Sequence, residues 1–136
     1  MSELPISPER LSELTEVISV WLDNQLSSKT LVQSVEHNKN ESRWYVRISG
    51  EDKDNSMVLF TLGQRTLHFE TYFMPSPEEN RQDVFQYLLR KNSKLYGVSF
   101  GVGSEEAVYL SGQINSEVIS SDTLDWVLGT IYKAVE

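Results

Sequence analysis

The sequence predicts an α+β domain in which an antiparallel sheet has helices packed on one face. Two observations predict it. Apolar residues recur at helical spacing near both ends of the chain and once between them, whereas from Leu31 to Phe73 the apolar period is two, as strands require. The predicted order is helix, four strands, helix, two strands, helix (α-β-β-β-β-α-β-β-α). We found no linker or internal repeat, so a single domain is expected over residues 1–136.

The first helix is predicted from Pro8 to Leu26. Ser7 can cap free amides, and a proline at the first helical position loses no hydrogen bond. The apolar residues that follow share one helix face, which indicates that the helix packs on a core. They are Leu11, Leu14, Val17, Ile18, Trp21, Leu22 and Leu26.

Four strands are predicted next, joined by short polar turns that suit hairpins. The turn residues include Asn38 to Glu41, Gly50 to Asn55 and Gly63-Gln64. An antiparallel meander follows. The predicted strands are Leu31 to His37, Arg43 to Ser49, Ser56 to Leu62 and Thr66 to Phe73.

The second helix is predicted to open at Ser76-Pro77-Glu78-Glu79. This string has the form of a capping box, in which the serine oxygen bonds the amide three residues on and the glutamate reaches back. Its buried stripe is predicted to be Val84, Phe85, Leu88 and Leu89.

Two strands and a helix complete the prediction. The strands are Gly97 to Val102 and Ala107 to Gln113, and Ser121 is expected to cap the helix that follows. Asp122 in the first turn suits the positive end of the helix dipole. The expected buried stripe of this helix is Leu124, Val127, Leu128, Ile131 and Val135.

Composition restricts the possible partners and reactions. The 12 basic and 20 acidic residues give a net charge of -8, which disfavours contact with nucleic acid. No apolar run approaches the roughly 20 residues that span a membrane, and no signal-like segment opens the chain. The chain has no cysteine, which excludes thiolate chemistry and disulfides. A soluble, cytoplasmic protein without a metal or cofactor is expected.

One catalytic alternative stays open. Gly97-Val98-Ser99-Phe100-Gly101 spells the G-x-S-x-G of a nucleophile elbow, but it lies in a predicted strand that follows a helix, which is not the setting of an elbow. His68 and Glu70 share one strand face and could form an acid-base pair. A small hydrolase or ligand-binding enzyme that uses Ser99, His68 and Glu70 is therefore the alternative to a protein without enzymatic activity.

The predicted sheet has an unusual second face. If the helices cover the face that carries Trp44 and Phe69, strand alternation leaves an aromatic-rich surface with arginine and methionine on the other face. That composition is typical of a protein contact, although an ordinary mixed surface is the simpler alternative. The residues are Tyr45, Arg47, Met57, Leu59, His68, Tyr72 and Tyr109.

Trp126 is a second candidate contact. On a helical wheel it lies about 160 degrees from Leu124, outside the apolar stripe of the last helix. Gly129, nearly one turn further on, lacks a side chain, so the two residues could form a ridge and a notch for a partner. The alternative is a helix that is buried on two sides.

The order of elements resembles the type III secretion chaperone-like fold, and more closely the YbjN family of putative bacterial sensory transduction regulators. The resemblance is best in three segments: 84–92 (VFQYLLRKN), 96–101 (YGVSFG) and 108–112 (VYLSG). It implies a protein-binding module without catalytic residues that forms homodimers and holds a protein client.

Overall fold

The computed structural model describes residues 6–28, 31–50 and 55–135, except for the side chain of Asn55. It confirms the predicted fold class and the order of elements. The helices are α1 (Pro8–Ser27), α2 (Arg81–Asn92) and α3 (Ser121–Val135). The strands are β1 (Val32–Asn38), β2 (Arg43–Ser49), β3 (Asn55–Leu62), β4 (Thr66–Met74), β5 (Ser99–Val102) and β6 (Val108–Asn115).

All six strands form one antiparallel sheet in the order β1-β2-β3-β4-β6-β5. The first four strands are the predicted meander. After β4, the chain passes through α2 to the far edge, forms β5 there, and returns as β6 to pair with β4. The predicted turn at 51–54 lies outside the described residues.

The predicted start of α1 is confirmed. The Ser7 hydroxyl oxygen accepts a hydrogen bond from the Arg10 backbone amide at 3.1 Å, and Pro8 is the first helical residue. Capping of this kind satisfies an amide that has no partner within the helix.

The predicted start of α2 is wrong. The helix begins at Arg81 rather than near Pro77, and Ser76 accepts a hydrogen bond from the Arg81 guanidinium at 3.0 Å instead of capping a backbone amide. The physical reason lies at Asn80, whose φ of 55° is left-handed and cannot continue a right-handed helix. The chain therefore turns at Asn80 before α2 can form.

Two other predicted boundaries need correction. Ser120, not Ser121, caps α3: its hydroxyl accepts from the Thr123 amide at 3.3 Å, and Thr123 Oγ1 accepts from the Ser120 amide at 2.8 Å. Strand β5 begins at Ser99, because Gly97 has a φ of 76° and turns the chain instead of extending it.

The core lies between the helices and one sheet face, which we call the covered face. Trp44, Phe60 and Phe69 are fully buried on it. Trp21 of α1 meets the Phe60 ring edge-on at 6.4 Å between ring centroids and donates its indole N–H to Asp125 of α3 at 2.8 Å. This hydrogen bond joins the first and last helices over the sheet. No helix in the described part of the chain is long and apolar enough to cross a membrane.

Two glycines let α3 approach the sheet closely. A Cβ at Gly112 of β6 would lie 2.8 Å from the Phe69 ring and would also collide with the Gly97 carbonyl. A Cβ at Gly97 would lie 2.5 Å from Cη2 of Trp126. Gly97 is therefore packed between the sheet and α3, and neither glycine position has room for a side chain.

His37 packs on the covered face beneath α1. Its ring stacks on Trp44, with centroids 4.4 Å apart and planes inclined by 8°. Within the described residues its Nε2 is buried and has no hydrogen-bond partner. Burial, and secondarily the charge of Lys39, lower the pKa of His37 from its ordinary value of 6.5. The folded protein thus favours the neutral imidazole.

We expect Gly112→Ala to destabilise the fold by about 1–3 kcal/mol, the usual range for inserting a methyl group into a packed site. Gly101→Ala is the matched control, because a Cβ there meets nothing within 4 Å. Urea unfolding of the three proteins measures the difference. Equal midpoints for Gly112→Ala and wild type would show that the contact relaxes without strain.

We expect stability to fall as the pH drops below about 6.5, because the unfolded chain then binds a proton that the folded His37 resists. His37→Phe keeps an aromatic ring over Trp44 and removes this titration. Unfolding free energies at several pH values between about 5.5 and 7.5 test it. If both proteins lose stability equally over that range, His37 is not the source of the pH dependence.

Candidate functional site

The helices leave the other sheet face uncovered, and we call it the open face. Cross-strand pairs place the predicted residues on this face together: Tyr45 lies opposite Leu59 and Arg47 opposite Met57. Tyr72 lies opposite Tyr109, and His68 opposite Thr61 and Gln113. The predicted grouping of the seven residues is therefore a feature of the structure, whereas their role in binding stays a prediction.

Aromatic and apolar side chains on the open face are accessible to solvent. Met57 is 42% exposed and Tyr72 is 48% exposed. The rings of Tyr72 and Tyr109 meet edge-on at 5.7 Å between centroids. Tyr109 also lies over Gly103, where an added Cβ would come within 2.6 Å of its ring. Contacts on both sides thus hold this tyrosine in place on the open face.

A second surface surrounds Trp126, which is 49% exposed, so the alternative of a last helix buried on two sides does not hold at this residue. It borders a groove of about 710 Å³ between α3 and the loop that follows α2, which we call the Trp126 groove. Gly129 lies in its lining, and a Cβ there would meet nothing within 4 Å. Trp126 and Gly129 therefore line one groove, and their use as a ridge and a notch for a partner stays a prediction. Lys94, Leu95, Tyr96, Tyr132 and Lys133 also line the groove.

Gly97 supports Trp126 from below. Because Gly97 has no side chain, the indole ring packs directly on its backbone, which orients the ring without burying it. Asp125, the neighbour of Trp126, also lines the groove and accepts the hydrogen bond from the Trp21 indole. The contact between α1 and α3 therefore lies next to the groove.

A third surface was missed by sequence reasoning. Leu89, predicted to be buried in α2, is 66% exposed, and Leu88 is the one residue of α2 that is fully buried. An apolar groove of about 200 Å³ lies between α2 and β5, and we call it the edge groove. The sequence carried no clear signal for this exposure, since adjacent apolar residues such as Val127 and Leu128 of α3 are both buried. The lining residues include Phe85, Leu88, Leu89, Phe100, Val102 and Val108.

The residues of the catalytic alternative share the open face but do not form a site. Ser99 lies opposite Ser111, and His68 opposite Gln113, so β6 separates the two strands. Two strand spacings and a two-residue step place their Cα atoms about 12 Å apart, too far for a hydrogen bond between the side chains. Ser99 is the first residue of a strand rather than the apex of an elbow.

The histidines do not form a joint site either. His37 is on the covered face and His68 on the open face. Across residues 6–28, 31–50 and 55–135, no three His, Asp or Glu side chains are grouped so that they could hold a metal ion.

No family model matches the chain. Proteins of Mycobacterium tuberculosis and Mycobacterium leprae, both described as uncharacterized, are 33% and 30% identical to it over 91 and 94 residues. These matches cover 67% and 69% of this chain. The chain spans about half the length of these curated relatives (50% and 51%).

Solved structures match nearly the whole chain. A chain in the HopA1-SchA chaperone-effector complex covers 96% of it with a TM-score of 0.60 and 13% identity, and 95% of that chain is matched. The Yersinia pestis type III secretion chaperone SycH, solved with a fragment of YscM2, covers 86% of it with a TM-score of 0.55 and 19% identity, again over 95% of that chain. The chain therefore has the fold of type III secretion chaperones.

Proposed function

We propose that this chain is a protein-binding module that holds a segment of a client protein, as a secretion chaperone or a YbjN-type regulator does. The observation that carries the proposal is the open face, an aromatic sheet surface that no described helix covers. Exposed aromatic residues, methionine and arginine are the residue types enriched at protein contacts. The two solved structures named above are complexes of a chaperone with a protein, which supports the same role here.

The Trp126 groove is the second part of the proposed surface. A half-exposed tryptophan held by a glycine contact supplies a large, preoriented apolar area, and tryptophan is enriched among the residues that dominate binding energy. An extended client segment would lie across the open face. The Trp126 groove lies on the helix side of the sheet, so it would hold an apolar side chain from another part of the client.

Four further points belong to the proposal. The chain acts as a single domain, forms a homodimer, works in the cytoplasm and catalyses no reaction. The separation of Ser99 from His68 supports the last point. The net charge of -8 supports a protein rather than a nucleic acid as partner.

We expect the double variant Met57→Thr/Tyr72→Thr to lose a client that wild type retains. Threonine suits strands, so the variant removes apolar contact area while the sheet is kept. Tagged proteins would be incubated with lysate of the source organism, and retained proteins compared by quantitative mass spectrometry. Val20→Ala is the matched control, because Val20 is 45% exposed on α1 and away from the open face.

A protein retained equally by wild type, the double variant and Val20→Ala does not use the open face. If wild type retains nothing beyond the tag alone, the proposed binding role is wrong. Thermal unfolding of each variant beforehand separates lost binding from lost folding.

We expect Trp126→Ala to weaken retention of the same client by tenfold or more, since truncating an anchoring residue typically costs at least about 1.4–2 kcal/mol. Titration of the identified client by calorimetry measures this loss. Gly129→Ala is the companion variant: it adds a methyl group to the groove and favours the helix by up to about 1 kcal/mol. Unchanged affinity in both variants would remove the groove from the binding surface.

We expect light scattering at increasing concentration to give the mass of two chains. Dimerisation would bury part of the exposed apolar surface that a lone chain leaves in water. A mass of one chain over the whole concentration range would contradict the homodimer and leave the client-binding part of the proposal to the retention experiment.

A further inference from the structure

The free edge at β5 is closed by a side chain. Asn92, the last residue of α2, donates its Nδ2–H to the Phe100 carbonyl at 3.2 Å and accepts the Phe100 amide at its Oδ1 at 2.7 Å. β5 pairs with β6 on its other side. One side-chain amide therefore satisfies the two backbone groups of Phe100 that point away from the sheet.

This arrangement reproduces what a neighbouring strand would do. In an antiparallel ladder, a residue exchanges N–H···O and O···H–N bonds with the residue directly opposite. The asparagine side chain carries the same amide donor and acceptor as a backbone residue. At Phe100, Asn92 thus occupies the position of a pairing strand.

The other edge of the sheet is protected differently. β1 carries a bulge between Val32 and Ser34, and its exposed residues include Ser34 and Glu36. Bulges and charged side chains are the usual devices that prevent strands from pairing edge to edge. β5 has a regular register with β6 over all four residues, so it lacks a bulge and depends on Asn92.

The surroundings of β5 favour pairing with an added strand once the Asn92 side chain is absent. Val102 is 58% exposed and Leu89 is 66% exposed beside the edge groove. A strand added at β5 would direct alternate side chains towards that groove. A second copy of β5 is a fitting occupant, because an antiparallel two-fold pair places the same groups opposite each other.

We propose that Asn92 serves as a surrogate strand that keeps the β5 edge from pairing with the β5 edge of a second copy. The proposed role of Asn92 concerns the β5 edge and does not rest on the proposed client binding, which uses the open face and the Trp126 groove.

The first test uses the wild-type protein and hydrogen exchange followed by NMR. The Phe100 amide should be protected, although it lies on the outer side of an edge strand. In Asn92→Ala this amide should exchange at least tenfold faster. Ser93→Ala is the matched control, because Ser93 lies at the same helix end and bonds the Arg90 carbonyl rather than β5. An unprotected Phe100 amide in wild type would overturn the proposal.

The second test measures association. Light scattering of Asn92→Ala should show a concentration-dependent mass above that of wild type, whereas Ser93→Ala should match wild type. Adding Val102→Pro should reverse the gain, since proline at an outward-facing edge position removes a pairing amide and leaves the ladder to β6 intact.

Three results would contradict the proposal that Asn92 keeps the β5 edge from pairing. If Asn92→Ala associates no more than wild type, Asn92 anchors α2 without guarding the edge. If association persists with Val102→Pro, it does not run through β5. If circular dichroism shows that Asn92→Ala is unfolded, only the hydrogen exchange of the Phe100 amide in wild type can be used. An unprotected amide there rejects the proposal.

Discussion

The structure depends on one constraint: the six-stranded sheet buries one face and leaves the other to solvent. All three helices pack on the covered face, and Trp44, Phe60 and Phe69 lie fully buried beneath them. Since side chains alternate along a strand, the residues on either side of each buried residue point to the open face. The aromatic surface there is thus a direct consequence of the way the core is built.

Close backbone contacts hold α3 on this sheet. Gly112 lets the Gly97 carbonyl approach β6, and Gly97 in turn lets the Trp126 ring rest on its backbone. The hydrogen bond from Trp21 to Asp125 ties α3 to α1 at the same level. Two residues without side chains therefore determine where the most exposed aromatic ring of α3 stands, which links the packing of the core to the shape of the Trp126 groove.

α2 is held differently from the other helices. It buries Leu88, while Arg81 at its start pairs with the exposed Glu106 at 3.7 Å and Asn92 at its end bonds β5. An exposed ion pair contributes little to stability, typically less than about 1 kcal/mol. The two hydrogen bonds of Asn92 are therefore an important part of what keeps this helix on the sheet edge, and the apolar groove beside them is the space that α2 does not fill.

The sequence by itself determined the order and type of the elements, because periods of 3.6 and two are local properties of the chain. Alternation along each strand also predicted which residues share the open face, and the pairing of Arg47 with Met57 and of Tyr72 with Tyr109 in the structure bears this out. The cap at Ser7 is local as well and was predicted correctly.

The tertiary structure decided what depends on contacts between distant residues: the insertion of β6 between β4 and β5, the exposure of Leu89, and the bond from Asn92 to Phe100. It also decided the start of α2, since the left-handed turn at Asn80 overrode the capping box at Ser76. A capping box can start a helix through local hydrogen bonds, but packing and the path of the chain to the far edge of the sheet determine whether the helix begins there.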